Sequence, residues 1–143
     1  MKKQKKIILI ASIVIFIVSL TQPAFYIDRT DYDAWSNPIG IIFIGWLGAI
    51  IGGGSALTWF ANPLILISWL FVIKSEKIAI VSGVLASIIS FAFLFFDKIV
   101  SSEAPTYSLI TEYKLGYWLW MISICLFTLG IIIIRIIKNQ KEK

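Results

Sequence analysis

Gly52-Gly53-Gly54-Ser55-Ala56-Leu57-Thr58-Trp59-Phe60-Ala61-Asn62-Pro63 lies in the middle of a stretch, residues 34–73, that carries no charged side chain. A helix needs roughly 20 residues to cross a ~30 Å hydrocarbon core, so this stretch is too long for one straight span. Three consecutive glycines, each costing about 1 kcal/mol in a helix interior, argue against one continuous helix. Asn is a good N-cap and Pro is favoured at the first helical position, so Asn62-Pro63 predicts a helix starting at Pro63. Trp35-Ser36-Asn37-Pro38 has the same form and predicts a helix over 38–51. Each Asn-Pro pair is followed by a Trp-Leu pair, Trp46-Leu47 and Trp69-Leu70. The echo is too short to establish a duplication. The segment reads as two helical pieces joined by a flexible, uncharged connector.

The rest of the chain is as apolar. Of 143 residues, 59% are hydrophobic and only 15% charged, against about 25% charged in a soluble domain. Mean hydropathy is +0.90. There are too few polar residues to clothe a soluble fold of this size, so the sequence defines an integral membrane protein. A first span is expected over about 7–26, after the basic run Met1-Lys2-Lys3-Gln4-Lys5-Lys6. The same pattern describes a signal peptide, but cleavage after Ala24 would place Gln22 where a small residue is required, so an uncleaved helix is expected. Further spans are expected over about 57–73, 78–96 and 116–135, with Lys74-Ser75-Glu76-Lys77 as a tight turn and polar loops at about 27–37 and 97–115. The expected fold class is all-α: one transmembrane domain over 1–143, a four-helix bundle with a Gly-rich broken or re-entrant second segment.

Basic residues set the orientation. With both termini cytoplasmic, Lys2, Lys3, Lys5, Lys6, Lys74, Lys77, Arg135, Lys138, Lys141 and Lys143 lie inside, leaving only Arg29, Lys98 and Lys114 outside. The acids Asp28, Asp31, Asp33, Asp97, Glu103 and Glu112 fall outside. Residues 34–73 then cross once, from outside to inside, and the surplus lies at the outer interface or dips in and returns. At membrane depth, its backbone would need shielding by protein, since each unpaired peptide group in lipid costs several kcal/mol.

Two sets of small residues mark packing faces. Ala79, Ser82, Gly83, Ala86, Ser87 and Ser90 fall on one stripe of a helix. Gly48 and Gly52, with Gly45 near them, do the same in the broken segment. Such residues let backbones approach closely, and the chain's own bundle is their expected partner. Gly53, Ser55, Thr58, Asn62 and Pro63 are the candidates for a pore or break. Phe25, Tyr26, Tyr32 and Trp35, and again Tyr113, Tyr117, Trp118 and Trp120, read as an aromatic belt at the outer boundary.

Composition removes many chemistries. There is no His, and Cys125 is the sole cysteine, so a disulfide within the chain, the usual zinc sites and Ser-His or Cys-His nucleophiles cannot be assembled. Asp31, Asp33 and Asn37 resemble calcium ligands, but Ser36 stands at the EF-hand glycine position and Ile42 at the bidentate acid. The glycine run lacks the GK[ST] of a phosphate loop, and Leu57 breaks a Gly-x-Ser-x-Gly elbow. No span carries an ionisable group, which argues against ion-coupled transport. No cofactor and no nucleic-acid partner is expected, the basic residues being topology signals; the bilayer, a second copy or another membrane protein are the expected partners.

Gly45-Trp46-Leu47-Gly48 followed by Trp59-Phe60-Ala61-Asn62-Pro63 resembles a segment of small bacterial four-span inner-membrane proteins, across about a quarter of the chain. The resemblance implies that architecture and location and brings neither activity nor site residues. The four-span plan with both ends inside is also similar to immunity proteins against pore-forming bacteriocins, in architecture alone. The expected function is non-enzymatic: an accessory, regulatory or immunity-type subunit acting by helix–helix contact. The alternative is a small oligomeric channel or permease built around residues 52–62.

Overall fold

The computed structural model describes residues 2–28, 37–100 and 107–141. In chain order these form helix α1 (Lys2–Ser19), strand β1 (Phe25–Ile27), helix α2 (Pro38–Ile51), a 3-10 helix (Gly54–Phe60) running into α3 (Ala61–Phe71), α4 (Glu76–Ala92) with a 3-10 turn (Phe93–Phe95), strands β2 (Lys98–Val100) and β3 (Tyr107–Tyr113), and α5 (Leu115–Lys141). The chain is mostly helical. Three helical stretches are long and apolar enough to cross a membrane: Gly54–Phe71, Glu76–Phe95 and Leu115–Lys141.

The expectation of an all-α fold is corrected by a three-stranded antiparallel sheet in the order β1-β3-β2. Phe25 pairs with Tyr113 and Tyr26 with Glu112, a bulge follows, and Ile27 pairs with Ile110. On the other side Lys98, Ile99 and Val100 pair with Leu109, Ser108 and Tyr107. The sheet changes two expected boundaries. The first helix stops at Ser19 instead of running to residue 26, because Pro23 and the strand beyond it take the chain away from helical geometry. The expected loop over 97–115 contains two strands, since Tyr107-Ser108-Leu109-Ile110-Thr111-Glu112-Tyr113 is rich in the aromatic and branched residues that suit a pleated surface. Backbone bonds lock the sheet to the helices: Lys114 N–H donates to Ala24 O (2.9 Å) and Gly116 N–H to Pro23 O (3.0 Å). Gly116 lies directly on the carbonyls of Gln22 and Pro23, with no room for a β-carbon.

Two apolar clusters hold the molecule. Phe16, Ile65, Val72, Ala79, Ala86, Ile124, Phe127 and Ile131 form the core between α1, α3, α4 and α5. Phe25, Ile27, Phe93, Tyr117 and Met121 form a second cluster where the sheet meets the bundle. At the opposite end the Lys5 ammonium is ion-paired with Glu76 and donates to Val72 O, and Ser75 caps α4 by accepting from Ile78 N. The chain start, the turn after α3 and the end of α5 therefore share one end of the bundle.

Candidate functional site

The small-residue stripe of α4 faces inward. Ala79, Ser82, Gly83, Ala86 and Ser90 are buried, and Ser87 is partly so. Their neighbours are α3 and α5. Ser68 of α3 donates to Ala79 O, Ser87 donates to Thr128 of α5 at 3.3 Å, and Tyr117 donates to Ser90 O at 2.8 Å. Gly83 sits where the three helices meet: a β-carbon there would lie 2.7 Å from Thr128 Oγ1 and 3.1 Å from Ser68 Oγ. On the other side of α5, Ser12 of α1 donates to Ser123 O (2.9 Å) and accepts from the Trp69 indole (3.1 Å). Those hydroxyls are satisfied inside the bundle, as buried polar groups in an apolar medium must be.

The break is a reversal. Gly53 and Gly54 have φ of +57° and +56° with open space around them, so backbone conformation, not crowding, calls for glycine. They fold α2 back along the 3-10 helix. Gly48 rests on Ala56, Gly45 lies under the Trp59 ring, and the Trp59 indole donates to Ile42 O at 3.0 Å. Gly52 packs on Val100 of β2, which puts the reversal beside the sheet. Asn37 caps α2 by accepting from Ile39 N. Asn62 does not cap α3, which begins at Ala61 as a continuation of the 3-10 helix, and Pro63 lies within that helix, not at its start. With its own backbone already helical, the Asn62 side chain is freed for a tertiary bond. Its Oδ1 accepts from the Trp120 indole at 2.8 Å.

Between α2 and the rest of the fold lies a cavity of about 540 Å³. Gly48, Ser55, Thr58 and Asn62 line it, together with Trp59, Tyr117 and Trp120; no lining residue is charged. Thr58 donates to Ser55 O at 2.6 Å. An indole N–H can only donate, so the Trp120 bond fixes the Asn62 amide with its oxygen toward Trp120 and its nitrogen elsewhere. Among the described residues that nitrogen and the Ser55 hydroxyl have no hydrogen-bond partner; the two residues are 7% and 5% exposed, and both atoms keep accessible surface at the cavity.

Tyr117 and Trp120 were expected in the aromatic belt and are corrected: Tyr117 is 3% exposed and stacks among Phe93, Tyr113 and Trp120. Phe25, likewise expected in the belt, is buried against Phe93. Tyr26 and Trp118 are exposed, with the Lys114 ammonium 4.5 Å from the Tyr26 ring centre. Tyr32, Trp35, Asp31 and Asp33 lie outside the described residues. The signal for Trp120 as a cavity residue was available, since it falls one helical turn after Tyr117 on the face of α5 that continues to Ile124.

No protein-family model, curated protein or solved structure matches the chain.

Proposed function

We propose that this chain is a non-enzymatic, four-span protein of the bacterial cytoplasmic membrane that acts by helix–helix contact, as an accessory, regulatory or immunity-type subunit. One observation carries the reading. Of the candidate pore residues, Ser55, Thr58 and Asn62 line a cavity at the side of the bundle beside the sheet and Gly53 and Pro63 do not, while the hydroxyls between the helices are spent on bonds within the protein. A pore needs polar groups strung along an axis, and a transporter usually needs an ionisable one at mid-depth.

The fourth span is α1. Its apolar part, Ile7 to Ser19, is only about 20 Å long, and its lysines extend it by reaching to the headgroups. The end that gathers Lys5, Glu76, Arg135 and Lys138 is the cytoplasmic one by the distribution of basic residues. The outer surface of α2 supplies the contact face: Phe43 is 74% exposed and Ile50 71%.

Photocrosslinking amino acids at Phe43 and Ile50, in cells, should give one discrete protein adduct that is absent from Leu129 on α5. The purified chain should add no conductance to a planar bilayer. Lipid adducts alone at both α2 positions would refute the contact reading. Steady conductance abolished by Asn62→Leu would replace it with a channel.

A further inference from the structure

We propose that the cavity behind α2 binds one uncharged amphiphile, an apolar chain ending in a carbonyl-type acceptor oxygen. Its volume, about 540 Å³, is in the range of sites that enclose a small molecule, and such sites are mostly apolar with a few placed polar groups. That description fits the walls, which are built from the aliphatic face of α2, the rings of Phe25, Tyr117 and Trp120, and Ile99 and Val100 of β2.

The polar groups specify the head of the ligand. Thr58 and Asn62 Oδ1 are committed to internal bonds. What remains is the Asn62 amide nitrogen, with two N–H donors, and the Ser55 hydroxyl, both on residues more than nine-tenths buried. Both atoms keep accessible surface at the cavity, no side-chain nitrogen or oxygen among the described residues being sealed off without a partner, so a ligand that brings an acceptor gains about 1 kcal/mol for each hydrogen bond it makes. An Asn pinned by an indole presents only its N–H donors, and the Ser55 hydroxyl can donate alongside them, so one acceptor oxygen can take bonds from both. No Lys or Arg lines the cavity, and an anionic head would be buried without a counter-charge. The ester of a neutral glyceride and the ketone of an isoprenoid quinone share the required chemistry.

Native mass spectrometry of the full chain, released from detergent, tests the assignment with three probes: 1,2-dioleoylglycerol, a short-chain isoprenoid quinone, and anionic phosphatidylglycerol. A saturable one-to-one adduct is expected with at least one neutral probe, and the tighter of the two identifies the source. Ser55→Ala should weaken it about fivefold, the loss of one neutral hydrogen bond. Ser123→Ala, which removes a buried hydroxyl away from the cavity, should leave it unchanged. Asn62→Leu should abolish the adduct, but it also strips Trp120 of its acceptor, so Ser55→Ala is the deciding variant. The proposal is overturned if neither neutral probe forms a saturable adduct, if the adduct is indifferent to Ser55→Ala, or if phosphatidylglycerol binds as tightly as the neutral probes.

Discussion

Gly83→Ala measures how tightly α3, α4 and α5 are joined. The new methyl would lie 2.7 Å from Thr128 Oγ1 and 3.1 Å from Ser68 Oγ, both inside ordinary contact. Neither neighbour is free to move. Thr128 Oγ1 donates to Ile124 O at 2.9 Å and receives the Ser87 hydroxyl at 3.3 Å, and Ser68 is bonded to Ala79 O. Overpacking costs about 1–3 kcal/mol, and a displaced hydroxyl loses about 1 kcal/mol more. Against this, Ala improves helix propensity by about 1 kcal/mol. The net expectation is a destabilisation of about 1–3 kcal/mol. Reversible unfolding in mixed micelles, followed by circular dichroism, would report it. In a Thr128→Ala background the closest atom is gone, and the Gly83→Ala penalty should fall by about half, a coupling a double-mutant cycle can read. A neutral or stabilising Gly83→Ala, unaltered by Thr128→Ala, would show that α4 does not meet α5 in this way.

Two further outcomes follow from other parts of the fold. Alkaline phosphatase fused after Asp33 or Glu103 should be active and fused after Lys77 inactive; activity at Lys77 would sink the four-span orientation. Tyr113 donates to Phe93 O and Phe96 O, and burial, then the Asp97 carboxylate, push its phenol above the usual value. The stability this contributes is complete below the unfolded value of about 10 and is lost as pH rises through the higher folded one. Unfolding midpoints measured upward from about pH 9 should therefore fall less steeply for Tyr113→Phe than for the parent chain, and equal slopes would refute the linkage.

Where the sequence was legible, periodicity and charge were the reason. The stripe from Ala79 to Ser90 repeats at helical spacing, and its burial follows from that spacing. The reversal at Gly52-Gly53-Gly54 was marked by composition. The sheet was hidden because β1 and β2 are three residues each, too short for alternation to register. Its central strand was masked by Ser108, Thr111 and Glu112, which read as a polar loop. Asn62 misled for a more local reason. Asn-Pro is a helix-start signal only where the preceding chain is extended, and here a 3-10 helix already leads into it. The cavity was not legible, because it exists only through the return of α2 across Trp59 and Val100.

The pairing of β1 with β3 sets an order of events during synthesis. Asp28 and Leu109 bond across 81 positions of the chain, and α1, which also meets Trp69 of α3 and Glu76 of α4, bonds to α5 across 111 positions, from Ser12 to Ser123. At roughly 5–20 residues per second, the strand waits about 4–16 s and Ser12 of the first helix about 6–22 s for a partner to be made. Over that interval the exposed edge of β1 and the Ser12 hydroxyl have no native acceptor in the chain already made. Closure of the sheet and of the α1–α5 contact therefore waits for β3 and α5. A break in the message just before Leu115 leaves the 114 residues already made without the helix that completes the core.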